Sequence, residues 1–199
     1  MKSKNRKASK KDAGIRSLSA DKKLIKQFTT KKKWEDLVID ESSRQQLNKI
    51  STPVPAFTNT VGSTESKGQR ILFSGSGKKN KKLAAKLLGN QFSKDVYRID
   101  LSRLVSKYIG ETEKNLDKIF DAAEQKNWIL FFDEADALFG KRTSVKDSHD
   151  KYANQEVSYL LQRIEEYPGL VIINSNSKDD DPDKFAKLTK TVIHFKKPV

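Results

Sequence analysis

Two stretches of this sequence carry the residues that could do chemistry. The first, ILFSGSGKKNKKLAAKLLG (71–89), runs from a short apolar strand through a glycine turn into an amphipathic helix. The second, NWILFFDEADALFGKR (127–142), ends an apolar strand on Asp133 and Glu134. A glycine turn opening a helix offers backbone amides and the positive end of the helix dipole to phosphate. A carboxylate pair at a buried strand end is costly unless a cation or ligand uses it. Some fifty residues apart, the two point to one pocket for the phosphates of a nucleotide. Alone, the first stretch is equally readable as a basic turn before a helix, with no ligand.

The pattern that builds such a cradle is G-x-x-x-x-G-K-[ST]. Either Gly77-Lys78 is its Gly-Lys pair, or Gly75 opens it and Lys81 is its lysine. The helix favours the second. From Lys81 onward, Leu83, Ala84, Leu87 and Leu88 fall at helical spacing toward a sheet. The other register puts Lys78, Lys79, Asn80, Lys81 and Lys82 in the first turn, where the dipole disfavours cations. The expected ATP-binding residues are therefore Gly75, Ser76, Gly77, Lys78, Lys79, Asn80, Lys81, Lys82 and Leu83.

Two of these depart from the pattern. Asn80 replaces the second glycine, and a left-handed backbone there costs about 1 kcal/mol. Lys82 replaces the hydroxyl residue that binds Mg²⁺. An ammonium about 4 Å from a divalent ion, at an effective dielectric of about 20, is repelled by roughly 8 kcal/mol. Asp133 is expected to hold Mg²⁺ through water, and Glu134 to polarise the attacking water. Phosphate binding is expected to persist in part, and metal-assisted hydrolysis to be impaired.

The elements that position these residues alternate. Strands are expected at Arg70–Ser74, Val96–Asp100, Trp128–Asp133, Leu170–Asn174 and Thr191–Phe195. Helices are expected at Lys82–Gly89, Thr112–Lys126 and His149–Tyr167, the last ended by Pro168-Gly169. Asp40 or Ser42 can cap an earlier helix that turns Leu47 and Ile50 inward. The Pro-, Gly-, Ser- and Thr-rich run 51–68 reads as an irregular loop. The pattern predicts an α/β fold: a three-layer α/β/α sandwich of the P-loop NTPase type, with a five-stranded parallel sheet and ligands at its C-terminal edge.

Charge divides the chain. The net +14 lies mostly in residues 1–33, where 13 Lys and Arg face 2 acids; residues 34–199 carry 27 against 24. The first segment is expected to be a disordered basic tail, and 34–199 the nucleotide-binding core. Such a tail either solubilises or engages nucleic acid or an acidic protein. Without Cys there is no disulfide or thiolate chemistry, and with two His a zinc site is not expected. No apolar run approaches the length of a membrane span, so the expectation is a soluble, cytoplasmic protein without a membrane partner. His149 and His194 read as surface or strand-end residues, and KDDDPDKF (178–185) as a solvated loop.

The segment VYRIDLSRLVSKYIGETEKNLDKIFDAAEQKNWILFFDEADALFGKR (96–142) closely resembles the AAA ATPases, one branch of the AAA+ superfamily. The resemblance extends from Trp34 to Phe195, and is strongest toward bacterial members, including those encoded beside phage-tail-like contractile injection systems. It implies a ring of homo- or hetero-oligomeric subunits with ATP at their interfaces and a polypeptide client in a central pore. Tyr108, Ile109 and Gly110 match the pore loop, with Tyr108 as the gripping residue. Asn176 matches the sensor that orients the attacking water, with Asn174 as the alternative.

The departures fall where hydrolysis needs precision. Lys187-Leu188 stand where the resemblance puts arginines that reach the neighbour's ATP. An arginine finger contributes about 10³ to 10⁵ in rate, and lysine lacks its planar fork. The given sequence stops at FKKPV, just past the last expected strand, so the small helical lid is expected to be absent. Three readings stay open. One is an ATP-binding AAA subunit or regulator with weakened or lost hydrolysis, a pseudoenzyme. Another is an active ATPase whose lost groups are replaced by nearby lysines, by Arg142 or by a partner. The third is a binding module for nucleic acid or an acidic protein.

Overall fold

The strand Ile129–Asp133 (β4) is buried along its whole length, ILFFD, and that fixes its place near the middle of a sheet. Its side chains alternate between the two faces. Leu130 and Phe132 join one hydrophobic cluster and Ile129 and Phe131 the other, so both faces must be covered. The computed structural model describes residues 25–51, 68–107, 112–138, 148–176, 185, 188, 189 and 191–196.

The other strands are Ile25–Phe28 (β1), Arg70–Gly75 (β2), Val96–Asp100 (β3), Val171–Asn174 (β5) and Thr191–Phe195 (β6). The sheet order is β1-β3-β4-β5-β2-β6. All pairs are parallel except β1–β3. The helices are Glu41–Ser51 (α1), Lys78–Phe92 (α2), Leu101–Lys107 (α3), Thr112–Lys126 (α4) and Ser148–Glu166 (α5). Ala84, Leu87 and Leu88 of α2 and Leu47 and Ile50 of α1 cover one face. Leu116, Ile119 and Phe120 of α4 and Leu160 and Ile164 of α5 cover the other. The result is the expected three-layer P-loop NTPase architecture. Asp40 caps α1, its Oδ1 accepting from the Ser43 amide at 3.1 Å.

The strand count is corrected. Among the described residues the sheet has six strands, not five, and it is not wholly parallel. The extra strand, β1, lies inside 1–33, the segment expected to be a disordered tail. Ile25 is buried and Phe28 sits 5.7 Å from the Phe131 ring, with Lys86 Nζ 4.8 Å above it. These two apolar residues are three positions apart, off the two-residue period of a strand, and lysines surround them. Tertiary packing, not local pattern, makes this strand. Among the described residues no helix is long and apolar enough to cross a membrane.

Candidate nucleotide site

The glycine turn leaves β2 at Gly75, whose φ is +81°. A Cβ there would stand 2.5 Å from the Phe195 carbonyl oxygen, so β6 passes too close for any side chain. Gly77 follows with φ 105° and begins α2 in a left-handed cap. The helix therefore starts at Lys78, earlier than the Lys82 expected from sequence, and Lys81 N donates to Gly77 O at 3.0 Å. Asn80 is helical rather than left-handed, and its Nδ2 donates to the Val38 carbonyl at 2.5 Å. The strain expected there is carried by the two glycines instead.

An early start places Lys78, Lys79, Lys81 and Lys82 in the first turns, the arrangement that the dipole argument disfavoured. Carboxylates at and just past the end of β4 offset that cost. Lys78 Nζ lies 2.6 Å from Glu134 Oε1, and Lys82 Nζ lies 2.6 Å from Asp133 Oδ2. The Lys78 pKa is raised, chiefly by its hydrogen bond to Glu134. Lys81 is fully buried and takes a different path. Its ammonium donates to Gly75 O at 2.7 Å and Ser175 O at 2.5 Å, tying the end of β2 to the end of β5.

The acidic edge is built by strand register. Asp133 stands opposite Asp100 of β3, which brings two carboxylates side by side. Arg98, two residues before Asp100 and on the same face, joins them: Nε donates to Asp133 Oδ2 at 2.6 Å and Nη2 to Asp100 Oδ2 at 2.8 Å. Asp133 Oδ1 accepts from Asn174 Nδ2 at 2.7 Å and from the Glu134 amide at 3.1 Å. Burial works to raise the Asp133 pKa, but Lys82, Arg98 and then Asn174 outweigh it and hold the carboxyl below its ordinary value. Burial likewise works to lower that of Arg98, and Asp133 and Asp100 prevail to raise it.

Glu134 has φ 58°, an unfavourable region for a residue with a Cβ. That turn aims its carboxylate at the mouth of the glycine loop, where Oε2 accepts from Asn176 Nδ2 at 3.2 Å. The Asn176 amide is held in turn by Asp136 Oδ2 at 2.7 Å. Asn174 and Asn176 thus serve different carboxylates. Since β5 lies between β4 and β2, the lysine turn, Asp133, Glu134 and both asparagines meet at one C-terminal sheet edge. Sequence reasoning missed Arg98. The signal was the Arg-Ile-Asp alternation in β3, which puts a cation beside a second buried acid. Tyr108, Ile109, Gly110, Arg142 and Lys187 lie outside the described residues, and Leu188 packs into the core.

The family model described as "ATPase family associated with various cellular activities (AAA)" matches residues 71–197. The chain belongs to the AAA family. AAA relatives include a cell division cycle protein 48 homolog of Archaeoglobus fulgidus, 30% identical over 153 residues, or 74% of this chain and 21% of that one. The peroxisomal ATPase PEX6 of Saccharomyces cerevisiae is 29% identical over 170 residues, 78% of this chain and 16% of that protein. Among solved structures, the FIGL-1 AAA domain superposes with a TM-score of 0.67 at 18% identity, covering 98% of this chain and 65% of that one. The AAA chain thus spans about a fifth or less of these curated relatives.

The P-loop fold implies a magnesium ion held by the residue after the loop lysine and by the strand aspartate. The residues here do not fit it. A carboxylate has about four lone-pair sites, and Lys82, Arg98, Asn174 and the Glu134 amide fill those of Asp133, whose side chain is 0% exposed. No hydroxyl follows Lys81.

Proposed function

We propose that this AAA chain binds ATP at the turn between β2 and α2, with weakened or lost hydrolysis. It acts as a subunit or regulator of a ring-forming, protein-remodelling assembly. The observation that carries the reading is the state of Asp133. The side chain that should organise a metal is already satisfied by four protein donors. Meanwhile the parts that bind phosphate are present. Helix geometry gives the amides at the start of α2, those of Lys78, Lys79 and Asn80, no partner inside the helix, and the exposed Lys78 and Lys79 supply charge.

A second reading, an active ATPase, draws on the contact between Asn176 and Glu134 at 3.2 Å, which keeps sensor and general base together. The assembly role draws on relatives named as a peroxisomal ATPase and a proteasome-activating nucleotidase. Phosphate release with magnesium, in wild type and in Glu134→Gln, separates the readings. The proposal expects wild-type release to stay at or near the buffer background. Turnover well above that background, abolished by Glu134→Gln, would establish the active enzyme instead.

A further inference from the structure

Lys82 and Asp133 occupy the two chain positions between which a P-loop site places its divalent ion. The ion's place is taken by the ammonium itself, 2.6 Å from Asp133 Oδ2. The pair has an orientation. Asp133 is sealed in the sheet edge, whereas the Lys82 side chain is 23% exposed, so of the pair it is the lysine that reaches solvent. An ammonium carries three donors, and one of them is directed at Asp133.

A second ammonium stands in the same turn. Lys78 lies 2.6 Å from Glu134, and its side chain is 57% exposed. Lys78 and Lys82 are four residues apart on α2, on one face of its first two turns. Each is paired with an acid at the end of β4 or just past it, and each side chain is partly exposed. Two anchored single charges stand where the family uses one double charge. The early start of α2 matters here, because it makes both lysines part of one rigid helix.

We infer that Lys82, together with Lys78, is a built-in replacement for the divalent ion, and that the site takes a nucleoside polyphosphate in its metal-free form. This rests on the nucleotide-binding reading above and narrows it. Metal-free ATP presents phosphate oxygens that magnesium would otherwise cover, and ammonium donors can bond them directly. Magnesium added to the solution then competes with Lys78 and Lys82 for those oxygens, and does not assist binding.

Calorimetric titration of ATP into the full chain, once in excess EDTA and once in excess magnesium, tests this. The wild type should bind at least as tightly in EDTA as in magnesium. Lys82→Thr, which restores the hydroxyl and releases one lone pair of Asp133, should reverse the preference by about tenfold. Lys82→Arg, which keeps the charge and the pair, should retain metal-free binding, and covers the case in which Lys82→Thr does not fold. Wild-type binding that requires magnesium would overturn the inference and leave the nucleotide reading standing. An absence of binding in both buffers would overturn the nucleotide reading itself.

Discussion

Lys82 Nζ and Asp133 Oδ2 lie 2.6 Å apart, joining the second turn of α2 to the end of the central strand β4. Arg98 reaches the same oxygen from β3 at 2.6 Å, so one buried carboxylate holds three elements together. Those elements carry the lysine turn, the acidic pair and the β3 strand that leads into α3.

Asp133→Asn leaves Lys82 and Arg98 facing a neutral amide. Removing one partner of a buried ionic cluster costs about 3–5 kcal/mol, and urea unfolding should show a loss of that order. Lys82→Met should cost less, because Arg98 still pairs with Asp133. Equal losses in the two variants would contradict the arrangement.

The same group sets a dependence on acid. The Asp133 pKa is lowered in the folded state from an ordinary 3.8, with burial opposing and Lys82 and Arg98 prevailing. Its contribution is therefore present above about pH 4 and lost as pH falls through the folded value. Wild-type stability should drop in that acid range, and Asp133→Asn should flatten the drop. Asp40, lowered chiefly by its Ser43 hydrogen bond, leaves a residual slope in both. An equally steep profile in the variant would contradict the claim.

Much of this was legible in the sequence. The apolar run ending at Asp133 announced a buried central strand, and Thr112–Lys126 has the helical bounds that its spacing predicts. The glycine turn and the acids fell at one sheet edge because parallel strands bring their C-terminal ends together. The pairings were less legible. Lys82 was readable as a residue that repels magnesium, but its distance to Asp133 depends on where α2 starts. Salt bridges from α2 to Glu134 and Asp133 accompany a start at Lys78, against the local dipole preference. Arg98 depends on the register of β3 against β4, and β1 on contacts with Phe131 and Lys86.

Strand β1 gives a test of its own. A chain starting at residue 29 loses the buried Ile25 and the packing of Phe28, and uncovers the edge of β3. Against a chain starting at residue 25, it should be less stable by about 2–3 kcal/mol, from the usual cost of exposing apolar side chains. It should also associate through the freed edge. Coincident urea midpoints would show that β1 adds nothing to the core.

The most direct test of the account replaces both departures in the phosphate loop. Magnesium-dependent phosphate release should be measured in wild type and in the double variant Asn80→Gly, Lys82→Thr, after circular dichroism and an ATP titration show that the variant is folded and binds. If the protein's own cations have displaced the metal, turnover should rise by at least about tenfold, a barrier reduction of about 1.4 kcal/mol. A folded, ATP-binding double variant with no gain would contradict it.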